Sequence, residues 1–287
     1  MNSTAVGIAS NATGLNSSAF GTANVAEGED SHAFGAGNNV TGQYANAFGL
    51  DNTVLDGYGN ALGSRNSVTG YNATAVGYVN VASGNASQAF GGGNRAEGDE
   101  AVAFGYYSTA AGDRSLAMGT RANAIGAETV AIGTSASVAG DANGTVAIGA
   151  ASVANEAGTV SFGDTDSERR LVHVAAGTAA TDAVNVAQLS GMASDVASFF
   201  GGGSAFANGA WTAPAYVIQG DSHGNVGDAF AAVDSALSGL DGRVDDLEAA
   251  PSGGARPVRE DRLARRVRLA RKDRRVRRAR QAVGWMV

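Results

Sequence analysis

The triplet Ala–apolar–Gly recurs at a fixed step of 14 residues from Ala5-Val6-Gly7 to Ala131-Ile132-Gly133. Its apolar member runs through Phe20, Phe34, Phe48, Leu62, Val76, Phe90, Phe104, Met118 and Ile132. One step of 16, across Asp141 to Thr145, leads to Ala147-Ile148-Gly149, and the last step of 14 leads to Ser161-Phe162-Gly163. Half a period later a second Gly column holds Gly14, Gly28, Gly42, Gly70, Gly84, Gly98, Gly112, Gly126 and Gly140. Small apolar residues such as Ala12, Ala26, Val40 and Val54 stand two places before it. Asn24, Asn38, Asn52, Asn66, Asn80 and Asn94 form a further column. Asn and Gly both tolerate positive φ, so these columns predict stacked tight turns.

Fourteen residues are too few for a helix–turn–helix repeat of ~34. Two turns per repeat leave two strands of about five residues. Such a coil can bury a face only by stacking on its neighbours, which predicts a parallel β-solenoid with two sheets. At about 4.8 Å per coil, twelve coils make a rod of roughly 60 Å. Because side chains alternate along a strand, the column Phe20, Phe34, Phe48, Phe90, Phe104, Ile132 and Ile148 is expected to point into the roll as its core, and the neighbouring Ala column out of it. An outward Ala column allows close approach of other rolls, or simply a solvated face. The residue before Ala changes from Thr4, Ser18, His32 and Asn46 to Val102, Leu116, Val130 and Val146. If that position joins the core, the later coils are the better packed.

Composition agrees with a solenoid. Gly accounts for 42 of 287 residues, Cys is absent and aromatics make up 7%. A chain without Cys holds no disulfide scaffold and no zinc ribbon. No run of 18 apolar residues encodes a transmembrane helix, and residues 1–30 lack the basic start and apolar core of a signal peptide.

Little in the sequence suggests catalysis. His32, His173 and His223 lie in separate segments without metal-ligand spacing. Glu27, Asp30, Glu97, Asp99 and Glu100 fall in turns and read as a solvated acidic rim. A period of 14 also differs from calcium-binding nonapeptide repeats. Gly91-Gly92-Gly93 and Gly201-Gly202-Gly203 lack the Lys-Ser/Thr of a phosphate loop. The enzymatic alternative is a trimeric left-handed β-helix acyltransferase, but its hexapeptide period and cleft His are not found. The chain is therefore read as a non-enzyme without cofactor, metal or nucleic-acid partner.

The repeat stops before Glu168, and the segment to Leu189 reads ERRLVHVAAGTAATDAVNVAQL. Arg169, Leu171, Val174 to Thr178 and Thr181 to Leu189 resemble the neck of trimeric autotransporter adhesins, the YadA-like family. The 14-residue repeat is similar to that family's head. The resemblance implies a left-handed parallel β-roll that trimerises, followed by a neck and a coiled-coil stalk. It also implies neck and trimer roles for Val174, Gly177, Asp182, Asn185, Gln188 and Leu189. Read locally, Thr181-Asp182 predicts a helix N-cap. Residues 199–236 resemble the family's FGG-type stalk insert through Phe200-Gly201-Gly202, Ala213-Pro214 with Tyr216, and Asn225 to Ala229. A strand from Ala215 to Gln219 and a helix after Asn225 are expected. Leu237, Leu240, Val244 and Leu247 give the 3-4-3 spacing of a coiled-coil seam.

The expected domains are a head (1–168), a neck (169–190), the insert (191–236), the start of a coiled coil (237–250) and a basic tail (251–287). The tail carries 13 Lys and Arg against 3 Asp and Glu, whereas residues 1–250 carry 7 against 24. A translated frameshift or mispredicted end, a genuine basic helix and a polyanion-binding arm are all open for it, and the family pattern favours the first, a non-native tail. The resemblance further implies a surface adhesin of a Gram-negative outer membrane, attached through a β-strand anchor missing here. Its implied partners are two copies of itself in a homotrimer, host extracellular matrix or cells, and other such trimers. The alternative is a structural spacer with no ligand of its own.

Overall fold

The computed structural model describes residues 2–250, so the readings of the basic tail lie outside the described residues. The chain forms two units, divided between Val172 and His173. The first is a parallel β-solenoid with one sheet of 12 strands and one of 11. Most coils give five residues to the first sheet, as in Ser18–Thr22, and two to the second, as in Val25–Ala26. The second strand is thus shorter than expected, because the turns take up the difference. Each strand pairs with its counterpart one repeat on, in the register Ala19↔Ala33, Phe20↔Phe34 and Gly21↔Gly35. The two extra residues loop out, and Val130↔Val146 keeps the register.

Alternation holds, but the two faces are exchanged. Ala19, Ala33, Ala47, Ala75, Ala89, Ala103, Ala117, Ala131 and Ala147 are fully buried. In contrast Phe20, Phe34, Phe90 and Ile132 are half-buried, while Phe48, Phe104 and Ile148 are exposed. The expected core column therefore lies on the outside and the Ala column on the inside. The coil is too narrow for rings: Val40, Val54, Val68 and Val138 are its largest fully buried apolar side chains. The residue before Ala does share a face with the large apolar column, but that face is the outer one. Val102, Leu116 and Val130 thus widen an external apolar strip and leave the core unchanged, which removes the basis for better-packed later coils.

Neither the Asn nor the second Gly column supplies the left-handed turn residue. That position precedes Asn and accepts Ala23, Asp51, Arg65 and even β-branched Val79, with φ between 54° and 56°. The Asn side chains instead point inward and are buried. Asn52 Nδ2 donates to the Gly63 carbonyl at 2.9 Å and to Asn38 Oδ1 at 2.9 Å. Its Oδ1 accepts from Asn66 N and Nδ2, both at 3.0 Å. The ladder runs from Asn24 to Asn94 and ends on Ser108, whose hydroxyl donates to Asn94 Oδ1 at 2.7 Å. It ties part-buried carbonyls of the long strands, such as that of Gly63, to side chains inside the roll.

The second Gly column serves close approach of coils. A Cβ on Gly70 would lie 2.0 Å from the Gly84 carbonyl oxygen. In the first column both constraints apply: Gly77 has φ +123°, and its Cβ would lie 2.0 Å from the Gly91 oxygen.

The second unit begins with an irregular segment and continues with helix α1 (Val186–Phe200). Two short hairpins follow, Ala205–Ala207 with Ala210–Thr212 and Tyr216–Ile218 with Asp221–His223. Helix α2 spans Val226–Ala249 with Asn225 as its N-cap. The strand and helix expected here are thus present, the strand one residue shorter at each end.

Candidate interaction surfaces

No group of three or more His, Cys, Asp or Glu that could hold a metal occurs among the described residues. No described helix is long and apolar enough to cross a membrane. The candidate sites are surfaces, and the largest is the outer face of the long-strand sheet. Stacking at one repeat per strand places like residues side by side. Phe20, Phe34 and Phe48 stack with centroids 5.0 Å apart and planes within 4°. The row continues through Leu62, Phe104, Met118 and Ile148, which are 38–53% exposed. The register sets each member beside the next, as in Phe20↔Phe34 and Phe90↔Phe104, so the row is one continuous apolar strip. A strip of this length on an isolated chain marks an interaction surface.

Two rims flank the sheets. Along the rim after the short strands, Tyr44 and Tyr58 stack at 4.9 Å, and Tyr71 meets Tyr58 edge-on. Glu29 beside it raises the Tyr44 hydroxyl above its ordinary pKa. Farther along, Asp113 accepts from Asp99 N and Asp99 from Asn85 N, so the carboxylates here also brace the turns. The rim is solvated and acidic, as the sequence predicts.

In the second unit, four of the six neck positions converge. Gly177 N donates to Gln188 Oε1 at 2.9 Å, and Gln188 Nε2 returns a bond to the Gly177 carbonyl at 2.8 Å. Asn185 Nδ2 donates to the Val174 carbonyl at 3.1 Å. Asn185 Oδ1 accepts from Gln188 N, which closes a capping box at the start of α1. The N-cap is therefore Asn185, not Thr181-Asp182. Asp182 serves the preceding turn, where its carboxylate accepts from Thr178 N and Ala179 N, both at 2.9 Å. The Leu189 side chain is exposed on α1 with Val186 and Met192, and only its backbone N–H meets the network, at the Asn185 carbonyl.

The backbone bonds from Ala179 and Thr178 hold the Asp182 pKa below its usual value. A depressed pKa stabilises the folded turn above the unfolded carboxylate pKa, and that contribution is lost as pH falls through the lower folded value. The protection of the Thr178 and Ala179 amides, taken relative to the intrinsic exchange rate at each pH, is therefore expected to fall below about pH 4. In Asp182→Ala that protection should already be absent at neutral pH.

Arg169, assigned to the neck by sequence, belongs to the end of the roll. Its guanidinium donates to Ser152 Oγ at 2.8 Å, to the Phe162 carbonyl at 2.6 Å and to the Ala150 carbonyl. It closes the last coils, where the next strand would otherwise supply donors. Sequence alone could have signalled this only by an Arg directly after the final repeat.

The first unit is a solenoid of small residues with an apolar outer strip, and the helices of the second unit expose apolar residues, so both carry surfaces of the kind that partners cover. Two sequence profiles match parts of this chain. One, described as YadA head domain repeat (2 copies), matches residues 1–24, 61–80, 69–94, 82–108 and 96–122. The other, described as coiled stalk of trimeric autotransporter adhesin, matches residues 170–210. The crystal structure of the collagen-binding domain of the Yersinia adhesin YadA is 30% identical, covering 63% of this chain and 85% of that one, with a TM-score of 0.35. No curated protein sequence matches significantly. Head and stalk profiles in this order, on the residues described above, place the chain in the family of YadA-like trimeric autotransporter adhesins.

Proposed function

We propose that the chain forms a homotrimer whose head adheres to host extracellular matrix or cells, and to other such trimers, by repeated non-covalent contacts at the cell surface of a Gram-negative bacterium. The exposed row from Phe48 through Phe104 to Ile148 carries this reading, because it is the surface a subunit interface would cover. A second row supports it: Phe230, Leu237, Leu240, Val244 and Leu247 are exposed along α2 with coiled-coil spacing. Val174, Gly177, Asn185 and Gln188 would then set the angle at which α1 enters the bundle, and Leu189 would begin its seam. Adhesion would follow from copy number, since three heads and repeated coils make weak contacts additive.

One solved relative is a collagen-binding domain, so collagen is the first ligand to test, with fibronectin and laminin beside it. Phe104→Asp tests the interface and adhesion together. The variant should keep its β circular dichroism, because Phe104 is outside the core. It should sediment as a monomer and lose about a hundredfold in apparent affinity for a matrix-coated surface. A variant that remains fully assembled and adhesive would refute the assignment.

A further inference from the structure

Charge is divided between the two rims of the head. Up to residue 140 there are ten carboxylates, and only Asp51 lies on the rim that follows the long strands. From Tyr78 to Arg121 that rim carries none. Aromatic rings stand there instead, Tyr107 on the rim and Tyr78 and Tyr106 beside it as the last residues of their long strands, at the edge of the outer face. Tyr78, Tyr106 and Tyr107 are each 53–54% exposed. Tyr106 and Tyr107 meet at 4.4 Å with planes at 72°. A Cβ on Gly92 would come within 3.0 Å of the Tyr106 ring, and one on Gly93 within 2.6 Å of the Tyr107 ring. The Gly91-Gly92-Gly93 run thus gives these rings a bed free of side chains.

Two arginines bracket the rings. Arg65 donates to the Tyr78 hydroxyl at 3.4 Å, and Arg121 lies one coil on from the tyrosine pair, with its backbone N–H on the Tyr106 carbonyl at 2.8 Å. Arg95 on a short strand and Arg114 on the opposite rim are held by Glu97 and Glu128. Arg121 makes no ion pair among the described residues, and Arg65 only an exposed contact with Asp51 at 3.9 Å. A guanidinium fork suits a carboxylate, and half-exposed rings suit a flat apolar face. A sugar ring with its C–H face and an acidic substituent offers both. Arg65 and Arg121 stand four coils apart, roughly 19 Å, so one acid cannot reach both and the ligand must repeat its acid along a chain.

We propose that this rim binds a uronic-acid polysaccharide, with sugar rings against Tyr78, Tyr106 and Tyr107 and carboxylates on Arg65 and Arg121. The site deepens the adhesion reading and rests on it. The test is titration of the whole chain with a hyaluronan octasaccharide, followed by tyrosine fluorescence and calorimetry. Arg121→Gln and Tyr106→Ala should each weaken binding about tenfold or more. Tyr58→Ala on the opposite rim should leave it unchanged, and a neutral dextrin should not bind. Arg121→Gln alters only a solvated side chain, so it keeps the test decisive if Tyr106→Ala misfolds. The site is refuted if wild type does not bind, if both variants bind like wild type, or if poly-glutamate binds as tightly and identifies an acidic-peptide surface. A chain that still adheres to matrix proteins but ignores the octasaccharide would refute this site and leave adhesion standing.

Discussion

Gly77→Ala is expected to destabilise the roll by about 4 kcal/mol or more, a cost at the extreme of single substitutions. Two penalties add at one atom. The backbone has φ +123°, where a side chain is strained by about 1–3 kcal/mol. The new methyl would also sit 2.0 Å from the Gly91 oxygen, so neighbouring coils would have to separate. Separation breaks the ladder Thr74↔Gln88 through Tyr78↔Gly92 and cannot be relieved by a rotamer change. A solenoid unit contacts only its neighbours, so the loss should appear as early melting of adjoining coils. Gly144→Ala is the control: its φ is +65°, but nothing lies within 4 Å, and it should cost about 1 kcal/mol. Thermal melts followed by circular dichroism separate the two, and equal melting temperatures would exclude close stacking at Gly77.

Asn52→Ala is expected to cost about 3–5 kcal/mol. Truncation leaves the Asn66 N–H without its acceptor and takes one donor each from the Gly63 carbonyl and from the Asn38 side-chain oxygen, which keeps only the Asn52 N–H of this coil. Each buried unpaired group costs about 1–3 kcal/mol, and relaxation recovers part of the sum. Asn52→Ser should cost roughly half as much. At the ladder's end Ser108 already plays this part, with its hydroxyl and amide both on Asn94 Oδ1. Urea denaturation of the two variants measures the difference. Equal losses would mean that side-chain volume, rather than the ladder, holds this column.

The repeat made the fold legible. A fixed period with two Gly columns permits a stacked coil and little else, and the register follows from the period alone. Which face lies inside was not legible by the usual rule. Alternation separates Ala47 from Phe48 but does not orient them, and preference for large apolar residues inside chose the wrong face. Coil width decides: the interior holds Ala47, Val54 and Asn52 side by side and has no room for a ring. The Asn column was visible, but its ladder was not, because Asn serves turns and buried networks equally well. Gly70 and Gly77 look identical in sequence, yet only Gly77 has positive φ. In the neck, the family pattern named Val174, Gly177, Asn185 and Gln188, which the fold brings together. Local capping rules pointed to Asp182 because Asp suits an N-cap, whereas Asn185 with Gln188 three residues later completes the reciprocal box. Apart from the chain neighbours Tyr106 and Tyr107, the tyrosines of the rims come from different coils and adjoin only through stacking, so their grouping was not legible in the sequence.

The central claim is that the outward apolar row is a covered subunit interface. Sedimentation equilibrium of the whole chain tests it most directly. The account predicts a single species of three times the 28.5 kDa chain mass, stable to dilution. A species of one chain mass at micromolar concentration, with the β signal intact, would contradict it.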